Sequence, residues 1–228
     1  QETSSQRSIK MIERKDVQID LKRSERIGIS EAILCKGKSI SQISEAINGN
    51  QNHSALLTRL EQEILISLPK QLQNKIDYEP ISRTGIYGKT PKINISPRVA
   101  VVTAGTSDTP ASREAVRTLQ FYGENSAEVT DVGVAGIWRL LDRIDFIKTF
   151  PVIIIAAGMD AALPSVIGGL VGSLIIGLPT STGYGTAENG RTALNAMLTS
   201  CAPGLAVVNI DNGYGAACIA LRTLNQKF

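Results

Sequence analysis

From residue 98 onward, runs of consecutive apolar residues alternate with stretches in which apolar residues recur every three or four positions. Residues 99–104, 127–131, 152–157, 173–178 and 204–210 read as strands, and residues 110–122, 137–148, 163–171, 187–200 and 213–224 as the helices that follow them. A strand that is apolar at every position is one covered on both faces. Strands that each lead into a helix pair in parallel. The fold class expected is therefore α/β, a doubly wound parallel sheet over residues 98–228. Residues 1–97 have no such rhythm. A short strand is predicted at 32–35, helical spacing appears at 41–47 and 54–68, and residues 76–97, with Pro80, Gly85, Gly88, Pro91 and Pro97, read as a connector. They predict a small N-terminal α+β region and linker ahead of the main domain.

Composition narrows the function. A chain of 228 residues, 43% apolar, is long enough to bury a full core. Aromatic residues make up only 4%, too few for a base-stacking platform, so no nucleic-acid partner is expected. Residues 1–98 carry a net charge of +5 and residues 99–228 a net charge of −2, a modest asymmetry that reads as solvated surface. Residues 161–179 hold no charge, but Pro164 and the glycines at 168, 169, 172 and 177 interrupt them; a buried helix followed by a buried strand accounts for the run, and no membrane span is expected. No signal-peptide pattern is visible, so the expected location is the cytoplasm, or a plastid stroma if an upstream transit segment has been removed. The three cysteines, Cys35, Cys201 and Cys218, show no C-x-x-C spacing, which fits a reducing compartment and neither a disulfide framework nor structural zinc. The single histidine, His53, sits in a polar stretch that reads as an exposed loop. Covalent or proton-transfer chemistry therefore falls to cysteine, carboxylate, tyrosine or serine.

In a parallel sheet ligands gather beyond the carboxyl ends of the strands. The first such turn is Ala104-Gly-Thr-Ser-Asp-Thr-Pro110. Gly105 permits a tight turn, Thr109 suits a helix cap and Pro110 the first helical position. Thr106, Ser107 and Asp108 are then open to a phosphate or a ribose, or serve only the turn; the spacing leaves both readings standing. The second turn, Ala156-Ala-Gly-Met-Asp-Ala-Ala-Leu-Pro164, places Asp160 in an apolar setting, where a carboxylate needs a partner or a task. The fourth strand leads into Thr180-Ser-Thr-Gly-Tyr-Gly-Thr186, with Gly183, Tyr184 and Gly185 forming a flexible loop, and the fifth into Asn209-Ile-Asp-Asn-Gly-Tyr-Gly215, with Asp211, Asn212 and Gly213 at a tight turn. Neither is a Walker or dinucleotide fingerprint.

Taken in order, Gly105-Thr-Ser-Asp108, Asp131-Val-Gly-Val-Ala-Gly136, Ala157-Gly-Met-Asp-Ala-Ala-Leu-Pro164, and Cys201 through Asn209-Ile-Asp-Asn-Gly213 resemble the pyridinium-3,5-biscarboxylic acid mononucleotide synthases, the LarB-type carboxylases that open nickel-pincer cofactor synthesis. That family is similar to the class I aminoimidazole ribonucleotide carboxylases and mutases. Upstream, Asp20-x-x-Arg23-x-x-Arg26-x-Gly28-x-x-Glu31 and Lys36-Gly-Lys38 resemble the family's N-terminal pattern. The resemblance implies carboxylation of the pyridinium ring of nicotinic acid adenine dinucleotide by CO2 or bicarbonate, with cleavage of the phosphoanhydride to release AMP. It implies Cys201 as nucleophile, Asp160 as base, and Ser107, Asp108 and Arg139 as phosphate or ribose contacts. It implies no tightly bound cofactor; any Mg2+ would ride on substrate oxygens with Asp108 or Asp211. Two positions depart from the family pattern: Asp160 stands where glutamate is expected, and Trp138, beside Arg139, stands where histidine is expected, there to stack on a ring or to pack. Two other activities are implied by relatives: a nucleotide-binding regulator akin to circadian phase modifiers, and aminoimidazole ribonucleotide carboxylation.

Cys201 follows a helix rather than a strand, which puts it at the opposite edge of the sheet from Ser107 and Asp108, and a helix C-terminus disfavours a thiolate. The expectation is a homo-oligomer, an octamer in related folds, with sites formed between subunits. Cys35 and Cys218 read as small buried hydrophobes.

Overall fold

The computed structural model describes residues 17–50 and 54–225, so His53 lies outside the described residues. The described residues form two sheets. In the first part, α1 (Arg23–Ile27) precedes β1 (Ile33–Leu34), and α2 (Ile40–Gly49) crosses to β2 (Ala55–Thr58). The short helices α3 (Gln62–Ser67) and α4 (Lys70–Gln73) lead to a hairpin, β3 (Ile76–Glu79) and β4 (Thr84–Tyr87), and the four strands lie in the order β1-β2-β4-β3. Ser39 opens α2 with a capping box, its hydroxyl accepting from the Gln42 amide at 3.2 Å while Gln42 answers the Ser39 amide at 3.0 Å.

This part corrects two expectations. Residues 54–68 are not one helix: Ala55, Leu56, Leu57 and Thr58 are buried as strand β2, and only 62–67 is helical. A short apolar run does not distinguish a buried strand from a helix by period. The stretch 76–97 is not simply a connector either. Ile76-Asp77-Tyr78-Glu79 alternates apolar and polar, and its apolar members pack on the domain's core beside Leu57 and Leu60.

The second part is the parallel sheet. It comprises β5 (Val99–Thr103), β6 (Ser126–Val129), β7 (Val152–Ala157), β8 (Leu174–Pro179) and β9 (Leu205–Val207), in the order β6-β5-β7-β8-β9, all parallel. Its helices are α5 (Thr109–Phe121), α6 (Ile137–Leu141), α7 (Ile144–Ile147), α8 (Ala162–Gly168), α9 (Arg191–Leu198) and α10 (Gly213–Leu224). Alternate strand residues serve opposite faces. Val99, Val101, Ile154 and Ile176 pack against α5 and α10, while Ala100, Val102, Ile153 and Ile155 pack against α6, α7 and α8. The doubly wound reading holds, and the apolar runs are explained by these two layers.

Several bounds shift for local reasons. The helix expected at 137–148 breaks at Asp142 and Arg143 into α6 and α7, each burying one anchor, Leu140 and Ile147. The helix expected from 187 begins at Arg191, because Glu188 and Asn189 adopt left-handed backbone (φ 48° and 52°) ahead of Gly190. Gly190 is required there: a Cβ would lie 2.6 Å from the Thr180 carbonyl.

The two parts meet along α5. Its inner face belongs to the parallel sheet. Its outer face joins the first sheet through Phe121, which packs with Leu56 and Ile86, and through Arg117, which donates to the Asp77 carboxylate at 2.7 Å. The Asp20-Arg23-Arg26-Glu31 pattern is an internal brace: Arg26 donates to Asp20 at 2.5 Å, and the Asp20 amide donates to Glu31 at 2.8 Å. The Arg26 guanidinium holds the Asp20 carboxyl down at about 2.

Candidate functional site

The strand order reverses between β5 and β7, since chain order runs outward in both directions from that pair. A crevice opens at such a switch point beyond the carboxyl ends of the strands. Here the turn after β5 and the turn after β7 line a cleft of about 410 Å³, together with Asp131, Gly133 and Arg139 from the β6 side and Thr182 from the β8 side.

Asp108 ties the walls together. It is 3% exposed, and it accepts from the Gly105 amide at 2.8 Å and from the Thr180 hydroxyl at 2.6 Å. Burial pushes its carboxyl above the usual range, opposed by those hydrogen bonds. Asp108 lines the cleft and also fastens the turn, each of its oxygens accepting one hydrogen bond. Thr109 is not the cap but the first residue of α5, its hydroxyl donating back to the Thr106 carbonyl at 2.6 Å. Thr106 and Ser107 are exposed at the rim and remain available.

The β7 turn approaches β8 closely. The Met159 amide donates to the Thr182 carbonyl at 2.9 Å, and the Thr182 hydroxyl donates to the Ser107 carbonyl at 3.0 Å. Gly158 makes this possible, because a Cβ there would lie 2.7 Å from the Thr180 hydroxyl. The turn is held in left-handed backbone at Met159 (φ 53°) and Ala161 (φ 48°), and Asp131 across the cleft is left-handed too (φ 58°). Asp160, between the first two, is exposed on the cleft wall. The apolar burial expected of it is not found: the turn lifts the carboxylate out of the apolar run into solvent, where an ionised group needs no partner.

Arg139 donates to Asp131 at 2.5 Å across the cleft mouth, its guanidinium lying over Gly136. Trp138 is 65% exposed and belongs to an uncovered strip with Ile137 and Leu141, so within one subunit it neither packs nor lines the cleft. Gly183, Tyr184 and Gly185 are exposed on the loop above the β8 end. Asp211 accepts from the Ser181 amide at 2.9 Å. Asn212 caps α10, accepting from the Gly215 amide at 2.8 Å. Gly213 is a packing residue, where a Cβ would lie 2.8 Å from the Ala115 amide nitrogen of α5.

Cys201 is exposed but does not line this cleft. It lies in the turn before β9, next to Ser200, whose hydroxyl meets that of Ser165 in α8 at 2.7 Å. Leu205 pairs with Ile175 near the start of β8, so roughly 13 Å of strand separates this level from the carboxyl end of β8. Cys35 is buried, which pushes its thiol up to about 12. Thr180 and Thr182, which weld the turns together, were not singled out from sequence; their one signal was position, immediately after an apolar strand.

Residues 12–89 match the LarB/PurE-like N-terminal domain, and residues 98–227 match AIR carboxylase. An uncharacterised protein of Methanocaldococcus jannaschii is 39% identical over 213 residues, covering 90% of this chain and 82% of that protein. The N5-carboxyaminoimidazole ribonucleotide mutase of Pyrococcus horikoshii is 33% identical over 140 residues, covering 58% of this chain and 75% of the mutase. The crystal structure of a single-residue variant of Treponema denticola PurE2 aligns with 58% of this chain and 83% of its own, with a TM-score of 0.48 and 19% identity. Among the described residues no helix is long and apolar enough to cross a membrane.

Proposed function

The chain belongs to the LarB-type, PurE-like family of carboxylases and mutases, and from that membership we propose that it carboxylates the pyridinium ring of nicotinic acid adenine dinucleotide and hydrolyses the phosphoanhydride to release AMP. The observation that carries this reading is the pairing, in one chain, of the LarB/PurE-like N-terminal domain with an AIR carboxylase domain that holds an exposed thiol, Cys201.

The chemistry follows from polarity. A pyridinium carbon is electrophilic and cannot attack CO2. Addition of the Cys201 thiolate forms a C–S bond and moves an electron pair onto the ring nitrogen, leaving a neutral enamine. Its nucleophilic carbon attacks CO2 and forms the new C–C bond. A base then removes the proton from that carbon, the C–S bond breaks, and the thiolate departs with its electron pair as the ring regains aromaticity. One proton is released and no oxidant is consumed. Asp160, exposed on the cleft wall, is the base in this scheme. Thr106, Ser107 and Arg139 at the cleft rim meet ribose and phosphate oxygens, while Asp108, with both oxygens engaged, keeps the turn in place. Any Mg2+ used in the anhydride step would be held by the substrate's phosphate oxygens with Asp108 or Asp211, and would supply charge neutralisation there.

Cys201 and its own cleft lie at opposite ends of the strands, so the thiol acts in the cleft of a neighbouring subunit of a homo-oligomer. The test is incubation of the protein with nicotinic acid adenine dinucleotide and bicarbonate, followed by chromatography. The reading predicts AMP from the wild type and none from Cys201→Ala. Binding of the dinucleotide without AMP would instead mark a nucleotide-binding regulator. A second reading, aminoimidazole ribonucleotide carboxylation or mutation, is favoured by the similarity to the Pyrococcus mutase. It is weakened by Trp138, which supplies no acid–base group at that position. Turnover of aminoimidazole ribonucleotide by Cys201→Ala would establish it.

A further inference from the structure

The cleft shares two of its lining residues, Ser107 and Thr182, with a second cavity of about 180 Å³ that both domains wall. From the N-terminal sheet come Arg59, just after β2, and Arg83, just before β4. From the parallel-sheet domain come Glu114 and Asp211. The cavity is more than ten times what one water requires.

Three of its lining residues, Arg59, Arg83 and Asp211, adopt left-handed backbone (φ 54°, 53° and 55°). Aspartate tolerates that region, but arginine gains nothing from it. Both arginines are therefore held against their local preference at the domain junction, where Leu60 donates to the Arg83 carbonyl at 2.8 Å and locks the two positions together. The Arg59 guanidinium is pre-aimed. Its Nε meets Glu114 at 3.2 Å, and one Nη donates to the Asp211 carbonyl. Glu114, 4% exposed, is itself fixed by the Tyr214 amide at 3.0 Å. Two anchors leave a five-donor fork with capacity to spare. Arg83 pairs with Glu61 at 2.7 Å, but both partners are substantially exposed, and such a pair is weak enough to exchange for a better anion. Ser107 and Ser181 add hydroxyl groups to the lining. The two acids are already committed, Glu114 to Arg59 and Asp211 to the Ser181 amide.

We propose that this interdomain cavity is a phosphate subsite, in which Arg59 and Arg83 hold the phosphate of a nucleotide that extends from the strand-end cleft past Ser107 and Thr182. The N-terminal domain thereby completes the substrate site of the carboxylase domain. The identity of the nucleotide rests on the activity proposed above; the capture of a phosphate group does not.

The probes are AMP, adenosine and inorganic phosphate, titrated calorimetrically into the full chain, Arg83→Gln, Arg59→Lys and Lys70→Gln. The proposal predicts that AMP binds at least tenfold more tightly than adenosine. It predicts a loss of tenfold or more for AMP in Arg83→Gln and Arg59→Lys, with less than a twofold change in Lys70→Gln, an exposed residue of α4 that lines neither cavity. Arg83→Gln interrupts only an exposed pair, so an unchanged melting temperature separates lost binding from lost fold. Inorganic phosphate distinguishes sources: binding that falls in the same two variants and equals AMP binding supports a site for free phosphate rather than the nucleotide. AMP and phosphate affinities that ignore both arginines overturn the subsite. Arginine-dependent AMP binding without AMP release from the dinucleotide would sink the proposed activity and leave the subsite standing. Undiminished AMP release by Arg83→Gln and Arg59→Lys would do the reverse.

Discussion

Cys201 is an exposed thiol, and Asp108 is a buried carboxylate that fastens the first turn. The exposed Cys201 thiol has no buried surroundings to shield it, whereas Cys35 is buried and Cys218 is half-buried with its thiol pushed up by burial. Titration of the folded protein with a disulfide reagent should therefore label Cys201 first, with Cys35 released only by denaturant; peptide mapping checks the order. Asp108 is a fastener, and Asp108→Ala leaves the Gly105 amide and the Thr180 hydroxyl without their acceptor. The expected loss is about 2–6 kcal/mol, at roughly 1–3 kcal/mol for each of the two groups left unpaired, read from urea melts. Burial raises the Asp108 carboxyl in the folded state, so the native form binds its proton more tightly than the unfolded chain does. That contribution is present below the unfolded pKa of about 3.9 and is lost as pH rises through the folded value. Compared with Asp108→Asn, the wild type should therefore gain relative stability as pH falls from neutrality, and parallel pH dependence of the two proteins would rule this out.

At the level of elements, the parallel sheet was readable because each strand is apolar throughout and each helix follows at regular spacing. The N-terminal hairpin was not, because β3 and β4 are four residues each and flanked by turn formers, so composition outweighed a two-period alternation. The cleft was readable only as a set of turns. What sequence did not disclose was contact between distant segments, such as Thr180 with Asp108 or Thr182 with Met159, which depends on strand order. Glycine substitutions test those contacts. Gly158→Ala pushes a methyl group between the β7 and β8 turns, and Gly213→Ala wedges α10 from α5, each costing about 1–3 kcal/mol by overpacking. Gly172→Ala meets nothing within 4 Å and should leave the melting temperature unchanged.

The whole molecule is a carboxylase-family domain whose switch-point cleft adjoins a cavity walled by both domains and whose exposed thiol, Cys201, lies a strand's length from the cleft. The relation between thiol and cleft was foreseen from chain order alone: a residue before a parallel strand and residues after one lie at opposite edges. The meeting of the two domains at the second cavity was not legible, since Arg59 and Arg83 are ordinary basic residues until β2 and β4 bring them beside Glu114 and Asp211. The strip of Ile137, Trp138 and Leu141 remains uncovered in a single subunit. The central claim, that sulfur from one subunit serves the cleft of another, is tested most directly by complementation. Cys201→Ala and Asp160→Ala, each expected to release no AMP alone, are co-expressed with different tags and purified as mixed oligomers. Recovery of AMP release in the mixture is the predicted result, because some sites then combine an intact thiol with an intact cleft. AMP release by Cys201→Ala alone, or two inactive parents whose mixed oligomer stays inactive, would contradict the account.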